Sequence, residues 1–351
     1  MKTVVHLCTA WRVHLIPGKE VYSEIVKDFK HIYIYVGAKE EDKPMYNERV
    51  SKYDNSRCMF LDKLEEVYGL DKEIKNSMLL THGFTFKDSF MLKLHGFKNV
   101  HWICWGAGAE ANTSLKKKLL FPIKRFMLKT LDGAVALMEP DANALIKNYG
   151  MKRVETIPYC STTKVVCDKE YLKATTINNR VLLGNNSNTI PYHGEALDKL
   201  KKFAGKIKVD CLLNYSLVKN DEYYALVKKG KEYFGDDFNT IENFMTQEEY
   251  TEFIKQYDVY ICNRPTQTGL GAIYRCMRLG KKLFLIGRNY DWIQSLGGQV
   301  HNMSELDTIS FEDFVEPLSL EVKTKNFDTI IDLISKVENA PKWEQYIRKY
   351  S

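Results

Sequence analysis

Residues 258–287 read DVYICNRPTQTGLGAIYRCMRLGKKLFLIG. An apolar strand enters a polar loop, NRPTQTGLG, which is followed by a helical stretch beginning near Ala272 and by a second apolar strand, KKLFLIG. This is one strand–loop–helix–strand unit of a parallel sheet. Gly269 and Gly271 at the loop tip let backbone amides approach a bound group closely. The first turn of the following helix offers N–H groups that no carbonyl of its own helix accepts, together with the positive end of its dipole. Such a loop cradles a phosphate or diphosphate, or it is an ordinary strand-to-helix turn.

Outward from this unit the same alternation covers the chain. The first half carries TVVHLC, HIYIYVG, SMLLTHG, VHWICWG, GAVALM and VETIPY as strands, separated by helical stretches such as KDSFMLKLHG and PDANALIKNYG. A second series runs through RVLLG, KIKVDCLLNY, DDFNTIENFM, DVYICN and KKLFLIG. Near-continuous apolar strands alternating with helices predict parallel sheets covered on both faces. The polar stretch near 160–180 reads as a linker, so the expectation is an α/β chain with Rossmann-like domains over 1–165 and 166–351 facing across a cleft. PKWEQYIRKY at 341–350 is a short aromatic helix able to pack back on the first domain.

The chain has 351 residues, 44% hydrophobic and 27% charged, with 51 basic against 45 acidic side chains. That is an ordinary globular balance with material for two cores. The eight cysteines form no C-x-x-C pair and sit mostly in apolar runs, as buried free thiols of a reducing compartment do. His6, Trp11, Arg12 and His14 interrupt any signal-peptide apolar core, and no apolar run reaches the roughly 20 residues of a membrane span. A cytoplasmic location is expected.

Ligands of open α/β sheets sit beyond the carboxyl ends of strands. RVLLG ends there in Gly184, Asn185, Asn186 and Ser187, with His193 before the next helix, and VDCLLNY delivers Asn214 and Tyr215. Gln267, Thr268, Gly269 and Gly271 make a third polar strand end. Each could be a capping loop; three together argue for a shared ligand. In the first half His82 closes SMLLTHG, and Glu110 is the only carboxylate of the loop after VHWIC, which makes both candidate general bases. His82 reads equally as a structural hydrogen-bonding group.

Residues 114–131, SLKKKLLFPIKRFMLKTL, interleave Lys116, Lys117, Lys118, Lys124 and Arg125 with Phe121 and Phe126 and contain no acid. This pattern suits the interface of an anionic membrane; a core helix with a solvated basic face is the other reading. No nucleic-acid module is present. No G-x-G-x-x-G follows the first strand, no G-x-x-x-x-G-K-[ST] occurs, and no His/Cys cluster or D-x-D points to a metal or other cofactor, so protein groups alone are expected to neutralise phosphate charge.

THG at 81–83, WICWGAGAE at 102–110, the basic segment, LLGNNSNTIPYH at 182–193, NY at 214–215 and QTGLGAIYRCMRLGKK at 267–282 occur in an order that resembles glycosyltransferase family 56. These bacterial enzymes add 4-acetamido-4,6-dideoxygalactose (Fuc4NAc) from its dTDP donor to lipid II of enterobacterial common antigen synthesis. The resemblance covers most of the chain. It implies a GT-B glycosyltransferase with the donor nucleotide on the C-terminal domain, a polyprenyl-diphosphate-linked acceptor at the N-terminal one, and peripheral attachment to the cytoplasmic face of the inner membrane. One position departs: Gly108 stands where the family pattern has an acid. Two other classes are weighed against this. An NAD-linked sugar oxidoreductase needs the missing glycine fingerprint, and a non-catalytic membrane-surface adaptor leaves the polar strand ends without a role.

Overall fold

The computed structural model describes residues 2–10, 19–109, 119–160, 169–173, 177–184, 190–214, 218–243 and 245–351. The chain forms two compact units, Met1–Lys164 with Leu333–Ser351, and Val165–Asp332.

The first unit is a seven-stranded sheet of β1 (Thr3–Thr9), β2 (Lys30–Val36), β3 (Ser56–Leu61), β4 (Met78–His82), β5 (Asn99–Cys104), β6 (Gly133–Ala136) and β7 (Val154–Thr156), in the order β3-β2-β1-β4-β5-β6-β7. Every ladder is parallel. Alternate residues of each strand supply opposite faces, as the pleat requires. Val5, Leu7, Leu79, Val100 and Trp102 pack into one core, while Val4, Met78, Leu80, Ile103 and Val135 pack into another. The second of these cores is closed by Trp343, Tyr346 and Ile347 of the Lys336–Tyr350 helix, all fully buried. Each such side chain stabilises the fold by roughly 1.5–3 kcal/mol. Trp343 Nε1 donates to the Pro158 carbonyl (2.9 Å), and Arg348 forks onto Asp28.

The second unit is a six-stranded parallel sheet of β8 (Arg180–Leu183), β9 (Lys208–Leu212), β10 (Phe238–Ile241), β11 (Val259–Cys262), β12 (Lys282–Leu285) and β13 (His301–Asn302), ordered β10-β9-β8-β11-β12-β13. Val181, Leu183, Val209, Val259, Ile261 and Phe284 form one core with the Ile190–Leu200 and Asp221–Phe234 helices.

β3 and β13 are additions to the strands read from sequence. Both lie at or next to a sheet edge and are only partly buried, so neither carries a long apolar run. In both units the chain runs outward on one side of the first strand and then returns on the other, between β1 and β4 and between β8 and β11. Those are the topological switch points, where diverging loops leave a crevice beyond the strand ends.

Candidate functional site

At the β8/β11 switch point, β8 is followed directly by Gly184, whose φ of 69° suits a residue without Cβ. The neighbouring ring makes glycine obligatory, because a Cβ there would stand 1.8 Å from His193 Cε1. His193 is buried in the first turn of the Ile190–Leu200 helix. Asn263, just past β11, is buried and donates from Nδ2 to the Tyr192 carbonyl (3.1 Å) and Glu195 Oε2 (3.3 Å), tying that strand end to the same helix.

The loop that follows is held from the β12 side. Arg288 N donates to the Pro265 carbonyl (3.0 Å), and the fully buried Asn289 donates from Nδ2 to the Thr268 carbonyl (2.9 Å). Gly287, at φ 59°, admits this approach, since a Cβ would lie 2.3 Å from the Pro265 oxygen. The helix begins at Leu270, two residues earlier than the sequence suggests, with Gly269 in the left-handed conformation (φ 64°) as its N-cap and no side chain capping it. Ile273 N is the first amide to bond within the helix, onto the Gly269 carbonyl (2.9 Å). The amides of Leu270, Gly271 and Ala272 therefore point forward from the helix end. Gly271 is exposed, and a Cβ on it would meet no heavy atom within 4 Å, so its small size leaves room in front of those amides. Gln267 is 7% exposed, and its Oε1 accepts no hydrogen bond among the described residues. A buried carbonyl oxygen without a donor is costly unless a ligand supplies one.

Gly184, His193, Gln267, Thr268, Gly269 and Gly271 thus gather at the carboxyl ends of β8 and β11, and half-buried Asn214 follows adjacent β9. Asn185, Ser187 and Tyr215 lie outside the described residues. Asn263, Arg288 and Asn289 were not singled out in the sequence. The signal was there in CNR after β11 and GRN after β12, each a polar residue placed just past an apolar strand.

In the first unit His82 ends β4 beside β1, fully buried, as part of a hydrogen-bonded line. His31 Nε2 lies 3.0 Å from the Val26 carbonyl, which can only accept, so that nitrogen carries the proton. Neutral His31 then accepts at Nδ1 from His6 Nε2 (3.0 Å), and His6 accepts at Nδ1 from His82 Nε2 (3.3 Å). His82 in turn accepts at Nδ1 from the Tyr159 hydroxyl (3.1 Å), whose oxygen takes the Trp105 Nε1 proton (3.1 Å). One donor direction, from Trp105 to the Val26 carbonyl, satisfies all five groups. Burial acts the same way, holding His31 below the usual histidine range and Tyr159 well above the usual tyrosine range.

Glu110 lies outside the described residues. A Cβ at nearby Gly108 would stand 2.1 Å from the Trp102 ring, and Trp102 is anchored by Nε1 on the Phe84 carbonyl (2.9 Å). Indole packing accounts for the glycine where the resembling family has an acid.

Of the basic segment, Lys116, Lys117 and Lys118 also lie outside the described residues. The Phe121–Thr130 helix divides the rest. Phe121 packs on Tyr149, and Lys124 donates from Nζ to the Tyr149 hydroxyl (2.6 Å), so both turn toward the core. Arg125, Ile123 and Phe126 are exposed, as are Leu119 and Leu120 before the helix. Phe126 meets Phe90 of the Phe86–Leu94 helix edge-on, and that helix adds exposed Met91 and Leu94 to the same neighbourhood. No helix among the described residues is long and apolar enough to cross a membrane. No group of three or more His, Cys, Asp or Glu among them is placed to hold a metal ion.

Solved structures share this architecture over nearly the whole chain. A glycosyltransferase from Rickettsia africae is 13% identical, with TM-score 0.61, covering 100% of this chain and 99% of that one. Anabaena HepE in complex with UDP and glucose is 9% identical, with TM-score 0.69, covering 99% and 100%. TarM is 9% identical, with TM-score 0.66, covering 99% of both chains. At these identities the likeness speaks for the fold, which is of the GT-B type. No curated protein matches the chain by sequence. The family model described as 4-alpha-L-fucosyltransferase, glycosyl transferase group 56, matches residues 20–315. With that match spanning both sheets, the chain belongs to glycosyltransferase group 56 and is a glycosyl-transferring enzyme.

Proposed function

We propose that this enzyme moves 4-acetamido-4,6-dideoxygalactose, or a related deoxyamino sugar, from a dTDP donor to a polyprenyl-diphosphate-linked glycan in the synthesis of a cell-surface polysaccharide resembling enterobacterial common antigen. The family description names a fucosyl group, itself a 6-deoxyhexosyl, and the fold neighbour HepE is seen with UDP and glucose. A nucleotide-sugar donor of the 6-deoxy class is consistent with both. Membership in a transferase family sets aside the oxidoreductase and the adaptor.

The observation that carries this reading is the start of the Leu270–Arg278 helix, with forward-pointing amides, an unobstructed Gly271 and the buried, unsatisfied Gln267. The donor diphosphate sits there in this proposal, and the fixed amides and helix dipole stabilise the charge that builds on the leaving group. Asn214 and Tyr215 serve the nucleotide or sugar, and Gly184, Asn185, Ser187 and His193 border the diphosphate. In the first unit, His82 or Glu110 accepts the proton of the acceptor hydroxyl. Since Tyr159 covers His82 Nδ1, the histidine route passes through the tyrosine: its oxygen takes the acceptor proton as its own proton goes to His82.

The exposed Leu119, Leu120, Ile123 and Phe126, flanked by Arg125 and Lys129, supply an apolar face with a basic border for an anionic membrane surface. A lipid-linked acceptor would be met there, at the cytoplasmic side of the inner membrane. Thermal-shift titration with dTDP, UDP, GDP and CMP tests the donor assignment. Stabilisation by dTDP above the other three is expected, and a flat response to all four would overturn it.

A further inference from the structure

The start of the Leu270–Arg278 helix and the Gln267 side chain differ in hydrogen-bonding character. The amides of Leu270, Gly271 and Ala272 donate, which suits the oxygens of a diphosphate. Gln267 Oε1 only accepts, and an ionised diphosphate has no proton to offer it. A diphosphate held by those amides therefore leaves this oxygen as it stands in the free protein, without a donor. Gln267 is 7% exposed, so bulk water does not stand in, and the group that satisfies the oxygen must bring a hydroxyl or an N–H.

The place of Gln267 in the sheet narrows which part of a nucleotide-sugar brings that group. The Pro265 carbonyl, two residues before it, accepts from Arg288 N (3.0 Å), and the Thr268 carbonyl, one residue after it, accepts from Asn289 Nδ2 (2.9 Å). Gln267 is thus carried between two anchored carbonyls, both tied to the β12 side of the sheet. Asn214 follows β9, two strands from β11 in the order β9-β8-β11-β12, which is about 10 Å at the usual strand spacing. With the nucleoside toward Asn214 and the diphosphate at the helix start, the transferred sugar is the part of the donor that comes to Gln267.

We infer that Gln267 selects the donor by its sugar, with Oε1 accepting a hydrogen bond from a hydroxyl or an amide N–H of the transferred residue; this rests on the reading of the helix start as the diphosphate site. A carboxamide gives the site an acceptor without setting another negative charge beside the phosphates. A sugar that has no donor group at that point leaves the oxygen unpaired and is discriminated against.

Calorimetric titration of the full-length protein with dTDP, dTDP-galactose and dTDP-4-acetamido-4,6-dideoxygalactose tests this. The unaltered enzyme is expected to bind a dTDP-sugar more tightly than dTDP. Gln267→Met, similar in length but without the acceptor, should weaken the dTDP-sugar about tenfold or more while dTDP stays within about twofold. Gln267→Glu, which restores an acceptor, should keep the advantage of the sugar and weaken all three ligands through its charge. A loss confined to the acetamido sugar assigns the contact to the amide N–H, and a loss shared by both sugars assigns it to a hydroxyl. A methionine variant that keeps the full advantage of the sugar, or loses dTDP and dTDP-sugar affinity alike, overturns the inference, as does an unaltered enzyme that gains nothing from either sugar. No binding of dTDP at all would instead remove the diphosphate from the helix start. The thermal midpoint of the unliganded variant guards against a merely structural role. Removing a buried acceptor that has no donor should leave the midpoint unchanged or raise it, and a fall of several degrees would show the oxygen satisfied within the protein and overturn the inference.

Discussion

The imidazole of His193 lies directly on the Cα of Gly184, so close that a methyl group there would stand 1.8 Å from Cε1. Gly184→Ala therefore meets both a positive φ and a buried ring. A loss of about 3 kcal/mol in urea denaturation is expected. In a His193→Ala background the same substitution should cost only about 1 kcal/mol, the backbone part. Equal costs in both backgrounds would show that the ring is not the obstacle.

Gly271 presents the opposite case. Its Cβ would meet nothing within 4 Å, so Gly271→Val should fold with little change in thermal midpoint. If the space is kept for the donor diphosphate, the valine should abolish the dTDP shift and lower kcat/KM roughly 100-fold. An unaltered nucleotide response would remove the diphosphate from this helix end.

Tyr159→Phe takes away the hydroxyl between Trp105 Nε1 and His82 Nδ1. If His82 receives the acceptor proton through it, kcat should fall roughly 100-fold with KM little changed. A variant with unimpaired kcat would leave Glu110 as the base, and Glu110→Gln should then show the loss.

His101 bonds Tyr346 from Nδ1 (2.7 Å) and Asn99 from Nε2 (2.8 Å), and burial lowers its pKa from 6.5 to about 4. Above pH 6.5 it is neutral folded or unfolded. Below that the unfolded chain takes up a proton that the folded one refuses, so stability drains as pH falls toward 4, by on the order of 3 kcal/mol in all. Denaturation from pH 7 to 4 should show a shallower decline in His101→Gln. Parallel declines would place the acid sensitivity elsewhere.

Ile123 and Phe126 are 54 and 64% exposed, so their replacement by Asp should not disturb the fold. Flotation with anionic vesicles should weaken roughly tenfold for each, given about 1.5–3 kcal/mol for a large apolar side chain that leaves water. Binding that vanishes in high salt and ignores both substitutions would assign attachment to the charges alone.

Sequence alone determined the alternation of strands and helices, the type of the unit at 258–287 and the polar strand ends, because those depend on local periodicity and on residues adjacent in the chain. It marked Gln267, Gly269 and Gly271 because a glycine-bearing loop before a helix is a local pattern. The family was legible too, since motifs keep their order along the chain. Tertiary structure alone decided which distant groups meet. His6, His31 and His82 come from three neighbouring strands, and only the parallel register of β1 with β2 and β4 sets their rings in line. The same holds for Asn289, which braces Thr268 across β11 and β12. Lys124 reads in sequence as one more membrane-facing cation, yet the position of Tyr149 turns it inward. The Lys336–Tyr350 helix announces its aromatic face in sequence, and only the packing of Trp343 and Tyr346 shows that the face is buried on the first sheet. Burial, register and the donor direction of a hydrogen-bonded line are properties of the assembled sheet, and no window of neighbouring residues contains them.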